Sequence, residues 1–180
     1  MAYLESGSTA VFNVAVPKGG NYWSYYDTSS EGCDDINNDG FCDNPYTFTG
    51  GVDNLPWTRQ NGWLCSDVPT IEIISFTPEL IWPPNHKIKE IKATGRVIIP
   101  SGCQLTNAGF KLIDEYGLFS AEANLPVNAD GGFELSLPVE AWRSGDDHDG
   151  RTYSLTLHAE NSAGTGMSNE LKTIVPHDLK

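Results

Sequence analysis

Asp130-Gly131-Gly132-Phe133-Glu134-Leu135-Ser136-Leu137-Pro138-Val139 is a turn followed by strict alternation. Phe133, Leu135, Leu137 and Val139 fall on one face of an extended chain and polar or small residues on the other, a period of two that no helix gives. The same design follows Asp149-Gly150, where Tyr153, Leu155, Leu157 and Ala159 alternate after a turn dipeptide. Working outward, Ile71-Glu72-Ile73-Ile74-Ser75-Phe76 reads as a strand, and Ile91, Ala93, Gly95, Val97 and Ile99 share one face of a longer one. Phe110-Lys111-Leu112 alternates as well, and Leu171-Lys172-Thr173-Ile174-Val175 is stopped by Pro176.

Some seven short strands with turns between them are the expectation for an immunoglobulin-like antiparallel β-sandwich over residues 69–180. Its inner faces take the alternating apolar residues. Lys89, Lys92, Arg96, Ser154, Thr156 and His158 are expected outward.

Residues 1–68 read differently. Ala10-Val11-Phe12-Asn13-Val14-Ala15-Val16 alternates like one strand, broken by Pro17-Lys18-Gly19-Gly20. Polar loops and aromatic residues then dominate, with Tyr46-Thr47-Phe48 before a Gly50-Gly51 turn. A loop-rich segment that packs its aromatic rings as a layer is expected. Tyr22, Trp23 and Trp57 are candidates for ligand binding, because exposed rings stack on sugars; aromatic rings are more often core than platform.

Cys33-Asp34-Asp35-Ile36-Asn37-Asn38-Asp39-Gly40-Phe41-Cys42-Asp43 carries the chemistry of this segment. Asp35, Asn37 and Asp39 stand at alternate positions, Gly40 allows the sharp turn, and Asp43 offers a further oxygen, which is the pattern of an Asp-rich calcium loop. Ca²⁺ takes about six to eight oxygens. The Phe41 carbonyl is the expected backbone ligand. No Glu stands at the closing position and no flanking helix is read, so a single loop on a β scaffold is expected rather than an EF-hand. The plain alternative is that Asp, Asn and Gly favour solvated turns.

The four cysteines show no Cys-x-x-Cys zinc or redox spacing. Pairing Cys33 with Cys42 and Cys65 with Cys103 is the natural arrangement, and closing the shorter loop stabilises by about 3 kcal/mol in the chain-entropy model. The alternative is buried free thiols. The start, Met1-Ala2-Tyr3-Leu4-Glu5-Ser6-Gly7, lacks the basic and apolar regions of a signal peptide. It is therefore expected to be a piece of a larger secreted protein, with Met1 added for expression and the rest of the parent chain upstream.

A formal net charge of −13 and a pI near 4.5 over 180 residues argue against nucleic acid or an anionic membrane as partner. No segment is long and apolar enough to span a membrane. Glu79, His86 and Asp146-Asp147-His148-Asp149 are the candidates for acid-base chemistry or a transition-metal site. There is no nucleophile elbow, no His-Glu-x-x-His and no phosphate-cradling glycine loop. A non-catalytic chain is expected.

Two resemblances add to this. Gly20-Asn21-Tyr22-Trp23-Ser24, the Asp-rich loop, Asn44-Pro45-Tyr46, Gly50-Gly51 and Asp53-Asn54-Leu55-Pro56-Trp57 resemble the closing segment of secreted right-handed β-helix proteins. These include the periplasmic copper-accessory β-helix family and surface β-helix repeat proteins. The likeness spans about residues 10–63 and lacks the repeated coils. Leu80-Ile81-Trp82-Pro83-Pro84-Asn85-His86-Lys87, Asp149-Gly150-Arg151-Thr152-Tyr153, Ala159-Glu160-Asn161-Ser162-Ala163-Gly164 and Val175-Pro176-His177-Asp178 resemble an immunoglobulin-like module of bacterial extracellular proteins. Together they imply a calcium-stabilised structural or adhesive region, extracellular, on the cell surface or periplasmic, with a polysaccharide or another surface protein as partner. The other implication is a carbohydrate-binding accessory region of a secreted polysaccharide-degrading enzyme.

Overall fold

The alternation translates directly into strands. The computed structural model describes residues 9–178, so the reading of residues 1–7 lies outside the described residues. The chain is nearly all β and divides into two compact units. One takes in the chain up to Asp67 together with Pro100–Gln104, the other Val68–Ile99 and Leu105 onward.

In the second unit, β4 (Thr70–Thr77), β5 (Ile88–Ile98) and β8 (Gly132–Glu140) form an antiparallel sheet in the order β4-β5-β8. The facing sheet contains β6 (Asn107–Asp114), β7 (Ser120–Asn124), β9 (Arg151–Asn161) and β10 (Gly164–Met167) in the order β10-β9-β6-β7, with β11 (Leu171–Val175) also on β9. Pairing β5 with β8 and β6 with β9 carries the chain back and forth between the sheets, as in immunoglobulin-like sandwiches.

The inward phases meet in one core. Ile91, Ala93 and Val97 of β5, Phe133, Leu135, Leu137 and Val139 of β8, and Tyr153, Leu155, Leu157 and Ala159 of β9 are all buried in it. Burying each such large side chain stabilises by roughly 1.5–3 kcal/mol. Gly95 keeps the phase without a side chain because a Cβ there would lie 2.2 Å from the Glu72 carbonyl. Tyr153 donates from its hydroxyl to the Glu140 carbonyl at 2.9 Å, tying the start of β9 to the end of β8. Lys89, Lys92 and Arg96 are exposed as expected, while Ser154, Thr156 and His158 are half-buried. Ile99 lies beyond the end of β5 and is exposed.

The first unit holds a small sheet. β2 (Tyr46–Phe48) and β3 (Gly51–Asp53) make a hairpin across the Thr49-Gly50 turn, and β1 (Ala10–Val11) lies parallel to β3. The expected strand over residues 10–16 is thus cut to two residues. The reason is local: Val14 donates its N–H to the Gly19 carbonyl at 2.9 Å, so the chain turns back, and Val14 and Val16 are left exposed.

Candidate functional site

The Asp-rich loop is built around its own carboxylates. Asp35 accepts from the Asp39 N–H through Oδ1 and from the Gly40 N–H through Oδ2, both at 3.0 Å. Asn37 Oδ1 also accepts from the Asp39 N–H, at 3.1 Å, while its Nδ2 donates to Asp39 Oδ2 at 3.1 Å. Asp39 Oδ1 accepts from the Phe41 N–H at 2.9 Å. Asp43 closes the ring: its carboxylate accepts from Ile36 at 2.9 Å, and its N–H donates to the Asp34 carbonyl at 2.6 Å. Two residues with positive φ, Asn38 (56°) and Gly40 (88°), make the curl, conformations to which Asn and Gly are suited.

Phe41 fastens the loop to the rest of its unit. It is buried and packs against Trp57 with ring centroids 4.1 Å apart. Phe41 and Trp57 face each other across an antiparallel bridge. The bonds on that side come from the flanking residues, Cys42 N–H to the Pro56 carbonyl and Thr58 N–H to the Gly40 carbonyl. The N–H and carbonyl of an extended residue point to the same side. The Phe41 N–H meets Asp39 on the side away from Trp57.

Both disulfides are formed, Cys33–Cys42 across this loop and Cys65–Cys103 across 38 residues, with no free cysteine among the described residues. Two disulfides mark an oxidising, extracellular-type environment. The second bridge brings the segment Pro100–Gln104 to the loop, where Ser101 donates its hydroxyl to the Asp39 carbonyl at 2.8 Å.

The donor set suits a hard cation in kind, since every side-chain donor is oxygen. An ionised carboxylate has about four lone-pair sites, so one that accepts one or two amides retains capacity for an ion. Convergence is another matter. Among the described residues, no three His, Cys, Asp or Glu side chains are gathered as a metal-holding group; the Asp35, Asp39 and Asp43 carboxylates each accept from backbone amides. Lys18 and Arg59 are the basic residues within positions 1–67, against nine carboxylates.

The aromatic candidates separate. Trp57 is 0% exposed and donates its Nε1–H to the Lys18 carbonyl at 3.0 Å, so it belongs to the core of its unit and cannot present a face to a ligand. Trp23 is half-buried between Tyr46 and Phe48, with centroids at 4.8 and 5.2 Å. Its indole donates to Asp53 at 3.0 Å. Tyr22 is half-buried and donates to Asp27 at 2.5 Å; that hydrogen bond raises its hydroxyl above the usual tyrosine range. Tyr25 is 61% exposed and Trp63 42% exposed; of these Trp63 stands at a cleft of about 630 Å³ lined also by Phe12, Asn13, Lys18 and Asn21.

Sequence reading missed Asp53, which is fully buried and accepts from the Asn21 N–H (2.6 Å), the Trp23 indole and the Leu55 N–H (3.1 Å). Its place in Val52-Asp53-Asn54, a polar residue ending a strand beside buried Gly51, is the signal that was available. The acid-base candidates are scattered by role. His86, with φ 62°, donates its N–H to the Ala141 carbonyl and pairs through Nδ1 with Glu140 at 2.7 Å. Asp147 accepts from the Tyr116 hydroxyl and from the Gly150 N–H.

No family model matches the chain, and no curated protein matches it. Among solved structures it is similar to Spo0M, a sporulation control protein from Bacillus subtilis, with a TM-score of 0.33 and 10% identity over 60% of this chain. The match covers 49% of that chain, so this one spans about half its length. A likeness this weak says nothing of function.

Proposed function

We propose that the chain is a non-catalytic, calcium-stabilised region of an extracellular bacterial surface or secreted protein, serving a structural or adhesive role. The observation that supports this reading is the disulfide-closed, oxygen-rich loop, curled by the Asp39 and Gly40 amides that donate to Asp35. Asp35, Asn37, Asp39 and Asp43 would supply side-chain oxygens and Phe41 its carbonyl. Ca²⁺ would neutralise a loop whose carboxylates have no ion pair among the described residues. Melting the protein with calcium and with chelator tests it: at a hundredfold excess over the dissociation constant, mass action adds about 2.7 kcal/mol. Equal melting temperatures would sink the proposal.

The exposed Trp63 beside its cleft favours one second reading, a carbohydrate-binding accessory region of a polysaccharide-degrading enzyme. An apolar ring flanked by Asn13, Asn21 and Lys18 offers stacking and hydrogen bonds to a sugar. Retention on a polysaccharide affinity gel that is lost in Trp63→Ala supports it; passage of the wild type through every gel removes it.

A further inference from the structure

Two histidines 29 positions apart in the sequence meet at one end of the sandwich. β11 runs antiparallel to the start of β9, with Val175 opposite Arg151 as the last pair. The residues just before Arg151 and just after Val175 therefore continue side by side. This places His148 next to His177, with ring centroids 5.6 Å apart and planes tilted by 41°.

That separation falls within the range of two imidazoles sharing one metal ion. A metal–nitrogen bond of about 2.0–2.1 Å puts each imidazole centroid roughly 3 Å from the ion, so two ligating rings stand about 5–6 Å apart. His177 also has a carboxylate at its other ring nitrogen. Its Nδ1 lies 2.7 Å from Asp178 Oδ2; a carboxylate there holds the proton on Nδ1 and leaves the Nε2 lone pair to a metal, the usual outer-shell arrangement for a ligating histidine. Both segments are anchored. The turn before His148 is fixed by Asp147, which accepts from the Tyr116 hydroxyl and from the Gly150 N–H at 2.8 Å. The tail is fixed by Arg143, which donates to the Pro176 and His177 carbonyls, each at 3.3 Å. His148 is exposed and His177 half-buried, so the pair is open to solvent.

We propose that His148 and His177 form a two-imidazole site for a divalent transition-metal ion, completed by water. Among the described residues no third His, Cys, Asp or Glu joins them in a metal-holding group. The site therefore takes an ion content with two nitrogens and exchangeable oxygens, such as Cu²⁺, Ni²⁺ or Zn²⁺, and discriminates against Ca²⁺ and Mg²⁺, which want oxygen throughout.

The test is titration of the whole chain with Cu²⁺ followed by electron paramagnetic resonance, with Zn²⁺ and millimolar Ca²⁺ as competitors. The chain has four histidines, so His86→Ala and His158→Ala are internal controls. One copper per chain with two nitrogen couplings is expected, displaced by Zn²⁺ and indifferent to Ca²⁺. His148→Ala and His177→Ala should each weaken binding at least tenfold and lose one coupling, and Asp178→Asn should weaken it about tenfold. Unchanged metal-free melting temperatures show that the variants fold; if His177→Ala does not, His148→Ala alone decides. Wild-type affinity in His148→Ala, loss of binding in the two controls, or a spectrum with oxygen ligands alone overturns the site.

Discussion

Arg151 is the residue on which the sandwich turns. Its guanidinium donates through Nε and Nη2 to Asp114 Oδ2 at 3.0 and 2.8 Å, with the two side chains 4% and 0% exposed. It also stands 4.7–5.3 Å from the ring centroids of Tyr116, Trp142 and Tyr153, so aromatic faces cover the charge where water cannot. Replacing Arg151 by Met leaves a buried carboxylate unpaired and should cost about 3–5 kcal/mol, read as a lowered melting temperature. Converting Asp114 to Leu in the same protein should recover much of the loss. Burial pushes the Asp114 carboxyl up, but hydrogen bonds from the Phe119 N–H and from Arg151 outweigh it and hold the group below its ordinary value of 3.8. The native state therefore binds that proton less readily than the unfolded chain. Its contribution is complete above the ordinary value and is lost as pH falls through the depressed one. Acid unfolding followed by circular dichroism should shift to higher pH in Asp114→Asn if the fold survives. This node was half legible: burial along β9 alternates from Arg151 through Asn161, so Arg151 stands on the same inward phase as Tyr153. Hydrophobicity alone does not mark a charged residue on that phase as buried, because only a partner such as Asp114, 37 positions away, makes it tolerable.

At the scale of elements, strands with apolar alternation were readable and those without it were not. β5, β8, β9 and β11 follow their apolar rhythm. β7 (Ser-Ala-Glu-Ala-Asn) and β10 (Gly-Thr-Gly-Met) carry no such rhythm. Both are outer strands of their sheet, where one face and one edge meet solvent and the pattern is weak. Glycines mark where elements approach closely. Gly95→Val would drive a branched side chain into the Glu72 carbonyl, 2.2 Å from the added Cβ, and should separate β4 from β5 with a loss of several kcal/mol, measured by urea unfolding. The Asp-rich loop was legible in composition and spacing, whereas the pairing of its carboxylates with amides was not, because the same oxygens suit an ion and a turn. Gly40 has φ 88°, and a Cβ there would meet Ser101 at 2.7 Å. Gly40→Ala should therefore cost about 1–3 kcal/mol, read by urea unfolding, and should weaken the calcium binding proposed for the loop by the same change.

For the molecule as a whole, both disulfides lie in the unit that contains the Asp-rich loop, and the sandwich unit holds none. Thiol reduction should therefore remove hydrogen-exchange protection from residues 9–67 and 100–104, costing about 2–5 kcal/mol there, and leave the amides of β5, β8 and β9 protected. The break in style near Pro69 was visible in the sequence. That Pro100–Gln104 groups with the earlier residues was announced by Cys103 alone, since long-range grouping leaves no local pattern. The claim that this unit is a calcium clamp is tested most directly by a high-resolution electron-density map of crystals grown in calcium chloride. The account predicts one ion in the loop, with oxygens of Asp35, Asn37, Asp39 and Asp43 and the Phe41 carbonyl at about 2.3–2.6 Å. A loop that keeps its carboxylates on the amides of Asp39, Gly40 and Ile36, with no ion among them at saturating calcium, would contradict it.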